Sequence, residues 1–143
     1  MIWRAPATLE ALDAFLGDLV VAGVYADERP LRGVAGLVDW RTGTWLTHAL
    51  RQGWLAGAPG EALLFPPGRR LGVRAVAAVG LGPAAGFDAA RAAAAATHVA
   101  ELAAGLGARK LCLEPPGRDT AGAEALRRAL DAALPDAEAL LLG

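Results

Sequence analysis

A glycine-rich loop between a predicted strand and a predicted helix is the segment of this sequence best suited to hold an anion. Its candidate ligand-binding residues are Gly80, Leu81, Gly82 and Gly86. Glycines let a ligand approach the backbone closely, and free N–H groups at a helix N-terminus attract phosphate. The spacing of these glycines differs from the usual dinucleotide-binding spacing, and Pro83 removes one donor. The loop is therefore either a phosphate site or an ordinary strand-to-helix turn.

A histidine near acidic and hydroxyl side chains is the pattern of nucleophilic catalysis. His48 lies close in sequence to Asp39 and to Thr42, Thr44 and Thr47. Threonine is seldom a nucleophile away from a chain terminus, and a histidine on a helix face is usually solvated. We therefore expect no catalytic residue in this segment.

The other side chains that commonly bind metals are few. His98 has Glu101 three residues later as its one nearby partner, and two groups do not make a metal site. Cys112 is the only cysteine, so no internal disulfide is possible, and its leucine neighbours indicate a buried thiol on a strand. We expect neither a metal nor a cofactor.

Three of the four tryptophans, Trp40, Trp45 and Trp54, lie within one short part of the chain. Because each ring buries a large area, packing in the core is one interpretation. An exposed tryptophan is a typical anchor of a protein interface, which is the other. We name all three as candidate interface residues.

Composition argues against several classes of protein. The net charge is −1 and the pI is about 6.1, so a nucleic-acid binder is not expected. No uncharged apolar run reaches membrane-spanning length, and Glu10 and Asp13 interrupt the apolar start, unlike a signal peptide. These features predict a cytoplasmic protein. Hydrophobic residues make up 55% of the chain, and this excess indicates surface buried against another subunit.

Hydrophobic periodicity, together with glycine and proline stops, predicts four helices and five strands. The helices cover residues 8–17, 42–53, 87–107 and 119–134, and the strands cover 19–26, 60–65, 72–82, 108–116 and 137–143. The stretch 31–40 is ambiguous. Strands and helices alternate in the second half, which predicts one α/β domain over residues 1–143, with a mostly parallel or mixed sheet and helices on both faces.

Helix ends and faces are also predicted from the sequence. Thr8, Thr44 and Asp119 or Thr120 are expected near the N-caps of their helices. In helix 87–107 the predicted buried face consists of Val99, Leu102 and Leu106, with Ala92 and Ala95 beside them.

Four short motifs follow one another in a characteristic order. They are Gly23-Val24-Tyr25, Val38-Asp39, Gly60-Glu61-Ala62-Leu63-Leu64 and Val79-Gly80-Leu81-Gly82. With the alanine-rich helix that follows them, they resemble the N-terminal domain of the leucine aminopeptidase family over roughly residues 18–143. The resemblance implies a macro-domain-like fold with three α/β/α layers and a mixed, mostly parallel sheet.

The same resemblance implies that the metal ions and catalytic groups of those enzymes belong to a C-terminal domain. This sequence contains no Asn-Thr-Asp-Ala-Glu-Gly-Arg segment, and its only lysine, Lys110, lies on a predicted strand. No catalytic residue is therefore carried over, and an independent hydrolase has no recognisable set of residues to support it.

The leading hypothesis is a stand-alone, non-catalytic module for assembly or regulation. It would form a homo-oligomer or bind a protein partner such as a full-length aminopeptidase. The alternative is a macro-domain-like binder of a phosphate-containing ligand, a nucleotide or ADP-ribose, held by the glycine-rich loop.

Overall fold

The computed structural model describes residues 1–143 as a six-stranded sheet with helices on both faces. The strands are β1 (Ile2–Ala5), β2 (Leu16–Tyr25), β3 (Ala62–Phe65), β4 (Gly72–Gly82), β5 (Lys110–Leu113) and β6 (Glu138–Leu142). The helices are α1 (Leu9–Ala14), α2 (Gly33–Arg41), α3 (Trp45–Arg51), α4 (Ala89–Gly105) and α5 (Thr120–Ala133). The expected three-layer α/β fold is confirmed. None of the helices has both the length and the apolar character needed to cross a bilayer.

The sheet has the strand order β1-β6-β5-β2-β4-β3, and every neighbouring pair is parallel except β3 and β4. The long strand β2 lies in the middle, where Val20 is opposite Val76 of β4 and Cys112 of β5. Such central strands are covered on both faces, which explains why they are continuous apolar runs in the sequence.

Two cores separate the layers. On one face, which we call the α4 face, Leu19, Val21 and Val79 pack with residues of α4 and α5 such as Ala100 and Leu126. On the opposite face, the α2 face, a second buried cluster joins the sheet to α1, α2 and α3; it includes Leu12, Val20, Val34, Val38, Leu46 and Val76.

Three helices begin with a side-chain cap. Thr8 and Asp119 accept hydrogen bonds from first-turn amides of α1 and α5, as predicted, and Asp88 does the same for α4. Thr44 precedes α3 as expected, but it lies in the left-handed region at a φ of 65° and its side chain makes no cap bond. The carboxylate of Asp39 accepts the amide of Thr47 in its place.

Several element predictions are corrected by the structure. Residues 2–5 form the edge strand β1, which is too short to show a clear pattern, and the ambiguous stretch 31–40 contains α2. The first helix ends at Ala14, and Gly17, predicted to close it, already belongs to β2.

The predicted buried face of α4 is only partly right. Ala92 and Val99 are buried, but the other buried positions are Ala96, Ala100 and Ala103. Leu102 is half-buried, whereas Leu106 is 45% exposed just beyond the helix. Because alanine side chains are small, this stripe of alanines lets α4 approach the α4-face core closely, and the larger Leu106 stays outside that core.

Candidate functional site

The glycine-rich loop lies where β4 ends and the chain turns towards α4. Gly80, Leu81 and Gly82 are the last residues of β4, and Gly86 lies in the exposed turn. The amide of Gly80 donates to the carbonyl of Glu61 at 2.8 Å, and the amide of Gly82 donates to the carbonyl of Gly57 at 2.7 Å. Two of the candidate donors are therefore used to hold the neighbouring segment against β4.

Close packing explains one of these glycines. A Cβ added to Gly80 would lie 1.9 Å from the carbonyl oxygen of Ala58, so only glycine fits there. Gly82 and Gly86 have φ values of 76° and 74°, in the left-handed region that glycine adopts without strain.

The side chains of an aspartate and an arginine already form hydrogen bonds with the backbone amide and carbonyl groups of this loop. The carboxylate of Asp27 accepts the amide of Ala84 at 2.7 Å, and this hydrogen bond lowers the pKa of Asp27. The guanidinium of Arg91 donates to the carbonyls of Leu81 at 2.7 Å and Pro83 at 2.5 Å. An anion at this loop would have to compete with the Asp27 carboxylate.

A second charged cluster lies at the carboxyl ends of β2 and β5. Arg118 donates to both carboxylate oxygens of Glu28, at 2.9 and 2.6 Å, and to Glu114 at 2.7 Å. The other oxygen of Glu114 accepts the amide of Val34 at the start of α2, at 2.7 Å. Arg118 lowers the pKa of Glu28, and the bond to Glu28 raises the pKa of Arg118.

The phenol of Tyr25 completes this cluster, which we call the carboxyl-edge cluster. Its hydroxyl oxygen accepts the amide of Gly117 at 2.9 Å, and the guanidinium of Arg118 lies 5.1 Å from the ring centre. Burial raises the pKa of Tyr25. The cluster ties the loop after β2 to the loop after β5.

Sequence reasoning missed this cluster and the role of Asp27. None of Asp27, Glu28, Glu114 and Arg118 is among the candidate residues predicted from the sequence. A signal was present, because Asp27 and Glu28 directly follow a buried strand, and ligands of α/β sheets bind at the carboxyl ends of strands.

The residues around His48 do not form a catalytic arrangement. Asp39 accepts the amide of Thr47 at 2.9 Å and its hydroxyl at 2.5 Å, so its carboxylate serves α3. The hydroxyls of Thr42 and Thr44 donate to the nearby carbonyls of Val38 and Gly43. The ring of His48 instead meets the ring of Trp54 edge-on, with 5.3 Å between their centres.

The remaining chemical candidates lie apart from one another. Cys112 is fully buried, as predicted. His98 lines a groove of about 310 Å³ between α4 and β4, together with Gly80, Leu81 and Arg91. No three histidine, cysteine or carboxylate side chains lie close enough together to hold a metal ion.

The tryptophans have different surroundings. Trp40, in the last turn of α2, is 73% exposed, and Trp54 is 54% exposed. Trp45 is half-buried and stacks on Phe65 of β3 with 4.0 Å between ring centres, and its ring centre is 6.2 Å from that of Trp54. We call the side chains of Trp45, His48, Trp54 and Phe65 the aromatic patch.

The fold defines a class of protein. Macrodomains from several organisms share it over nearly the whole chain. The DarG macrodomain of Mycobacterium tuberculosis is 18% identical with a TM-score of 0.71, covering 99% of this chain and 97% of that one. A Trypanosoma brucei macrodomain solved with ADP-ribose is 18% identical with a TM-score of 0.69, covering 99% of this chain and 63% of that one.

The sequence then identifies the family. The sequence model of the cytosol aminopeptidase family, N-terminal domain, matches residues 21–140, and the chain belongs to this family. A mutant of tomato leucine aminopeptidase has the same fold, with 16% identity and a TM-score of 0.69 over 99% of this chain, but only 32% of that enzyme is covered. No curated protein matches the sequence.

Proposed function

We propose that this chain is a non-catalytic protein-interaction module that assembles through its exposed tryptophans. The observation that carries the proposal is the exposure of Trp54, which projects from the aromatic patch into solvent. Large aromatic side chains that are backed by packed neighbours are typical anchors of protein interfaces. Trp40 is a second exposed anchor on the adjoining helix.

The polar side chains support a non-catalytic role. Asp39 is bonded to Thr47, Asp27 to the Ala84 amide, and Glu114 to the Val34 amide, so each carboxylate stabilises the backbone or a neighbouring side chain. The family match is to the N-terminal domain, whereas the sequence resemblance implies that the catalytic groups of these enzymes belong to the C-terminal domain.

Burial of the exposed Trp54 ring in an interface would stabilise a complex measurably. A tryptophan ring presents roughly 150–250 Å², and burying about half of it at about 25 cal/mol per Å² stabilises a complex by about 2–3 kcal/mol. That corresponds to a loss of roughly 30- to 150-fold in affinity when the ring is replaced by a charge.

The test is the mass of the assembly in solution. Native mass spectrometry of the wild type should show a whole multiple of 14.6 kDa. Trp54→Glu should release the monomer while the circular dichroism spectrum is unchanged. Trp3→Glu, at a tryptophan on β1 outside the aromatic patch, is the matched control and should retain the assembly. Where the wild type is an oligomer, an equal mass for Trp54→Glu would contradict the assignment.

A protein partner is the second form of the same proposal. If the wild type is a monomer, a full-length aminopeptidase is the partner to test, since this chain has the fold of its N-terminal domain. Binding to the purified enzyme should then be lost in Trp54→Glu and kept in Trp3→Glu. Absence of binding by the wild type would remove this partner.

A second candidate function is binding of a phosphate-containing ligand such as ADP-ribose. The specific support is the shared fold with a macrodomain solved with ADP-ribose, together with the glycines that end β4. Calorimetry with ADP-ribose should detect binding that is lost in Gly82→Glu. Gly105→Glu, at a position with open space around it, is the control that should bind normally. No heat of binding with the wild type would reject this ligand.

A further inference from the structure

The outer edge of β3 offers unpaired backbone groups. The amide of Gly80 donates to the carbonyl of Glu61, and Ala62 is opposite Val79 in the antiparallel ladder. In such a ladder, the residues that bond to the partner strand alternate with residues whose N–H and C=O point away. Leu63 and Phe65 therefore bond to β4, whereas Ala62 and Leu64 direct two donors and two acceptors outward.

Within its four residues this edge has none of the side-chain features that usually prevent pairing between proteins, although Pro66 and Pro67 follow it directly and limit its length. Exposed edge strands normally carry charges, prolines or bulges. The four residues of β3 are Ala-Leu-Leu-Phe, and the pairing with β4 is regular. The nearest acid, Glu61, is turned back, and its carboxylate accepts the amides of Ala56 and Gly57 at 2.8 Å each.

Apolar side chains flank the edge on both faces of the sheet. On the α4 face, Leu64 is 42% exposed and lines a shallow groove with Leu106. On the α2 face, the half-buried Leu63 lies near the buried Phe65, on which the half-buried ring of Trp45 stacks. A strand added to β3 would cover both flanks.

We propose that two copies of this chain pair through β3, edge to edge and antiparallel, to form a continuous twelve-stranded sheet. This inference rests on the proposed function, since it specifies how the interaction module assembles. A two-fold axis at Leu63 brings Ala62 of each copy opposite Leu64 of the other, which matches all eight outward groups in four hydrogen bonds. A net charge of −1 leaves little repulsion between copies.

The two-fold arrangement fixes the distance between the two copies of Leu63. Leu63 faces Leu63 of the other copy as a non-hydrogen-bonded pair, for which Cα atoms are about 4.5 Å apart. That separation lies within the range that a disulfide spans. Because Cys112 is fully buried, a cysteine at position 63 would be the only accessible thiol.

The experiment is disulfide trapping of Leu63→Cys in dilute solution. Oxidised glutathione accepts the electrons, and a non-reducing gel measures the cross-linked dimer. Thr97→Cys, on the exposed side of α4, reports random collision. We expect at least tenfold more dimer for Leu63→Cys than for Thr97→Cys.

A second substitution tests the backbone bonds. Ala62→Pro in the Leu63→Cys chain removes an outward donor that β4 does not use, and it should abolish trapping. Leu64→Lys is the alternative if the proline variant does not fold, which circular dichroism checks. Trapping that persists in both folded variants would overturn edge pairing.

The outcomes separate this inference from the proposed function. If Leu63→Cys cross-links no better than Thr97→Cys, β3 pairing is wrong. The proposed function is then tested by Trp54→Glu alone. If this variant dissociates the assembly, the chain is still an interaction module, but its copies meet in another geometry. An assembly that Trp54→Glu leaves intact, but that Ala62→Pro dissociates, retains β3 pairing and removes the tryptophan anchor.

Discussion

Arg118 and Glu28 form a two-pronged ion pair between loops that are 90 residues apart in sequence. The guanidinium also donates to Glu114, whose second oxygen accepts the amide of Val34 in the first turn of α2. One arginine thus connects the end of β2, the end of β5 and the start of a helix. The carboxyl-edge cluster fixes the loops at which ligands of α/β folds usually bind.

We predict that Arg118→Gln destabilises the chain. The substitution removes the cation that bonds both Glu28 and Glu114, and both carboxylates are largely buried, with side-chain exposures of 17% and 5%. Because Arg118 itself is partly solvated, the expected loss is about 1–3 kcal/mol in the free energy of unfolding. Urea denaturation followed by circular dichroism measures it.

Arg127→Gln is the control for this prediction. Arg127 pairs with Glu124 on the surface of α5, and both side chains are about half exposed. Its loss should leave the urea midpoint unchanged. Equal effects of the two substitutions would show that the carboxyl-edge cluster has no special role in stability.

Stability should decrease in acid. Backbone amides of Arg109 and Lys110 hold the pKa of Asp18 below its ordinary value of 3.8, and Arg118 holds that of Glu28 below 4.5. Groups with lowered pKa values in the folded state stabilise it above their unfolded values and lose that effect as the pH falls. The urea midpoint should therefore be constant from pH 7 to 5 and fall below about pH 4.5.

Substitutions of Glu28 and Asp18 test whether these two carboxylates cause the loss of stability in acid. Glu28→Gln should flatten the decrease that begins near pH 4.5, and Asp18→Asn should flatten the part below pH 3.8. The check is a series of urea titrations between pH 7 and 3. Identical pH profiles for the wild type and both variants would refute these two carboxylates as the source.

We predict that the glycines of the β4 loop differ strongly in their tolerance of alanine. Gly80→Ala places a methyl group against the Ala58 carbonyl, so it should cost about 2–4 kcal/mol. Gly86→Ala meets open space, and only its φ of 74° opposes it, at a cost of about 1 kcal/mol. Thermal unfolding of both variants measures these costs. A larger loss of stability for Gly86→Ala than for Gly80→Ala would contradict the prediction.

Cys112 should be unreactive in the native protein. Burial raises the pKa of its thiol to about 12 from the ordinary 9.0, which lowers the thiolate fraction at pH 8 roughly a thousandfold. Ellman's reagent should label the folded chain far more slowly than the chain in guanidinium. Fast labelling of the native protein would mean that β5 opens readily.

The sequence was most informative where burial was complete. β2 and β4 were predicted because strands covered on both faces are continuous apolar runs. The buried face of α4 was predicted only in part, because alanine occupies both its buried and its exposed sides, as Ala96 and Ala93 illustrate, and so gives little contrast. β1 was missed because two of its four residues, Trp3 and Arg4, are exposed.

The carboxyl-edge cluster was beyond sequence reasoning for a different reason. Its bonds depend on the order β5-β2-β4 in the sheet, which places the end of β5 beside the end of β2. No local pattern contains that order. The tryptophans were recognised from their type alone, but only the structure distinguishes the stacked Trp45 from the exposed Trp40.

The pairing of β1 with β6 determines when this sheet can be completed. β1 has no other neighbour, and the amino group of Met1 bonds to Ala137, 136 positions along the chain. During synthesis β1 therefore has no strand to pair with until β6 has left the ribosome. Contacts this distant in sequence slow folding, and this edge of the sheet closes only after all six strands have been made.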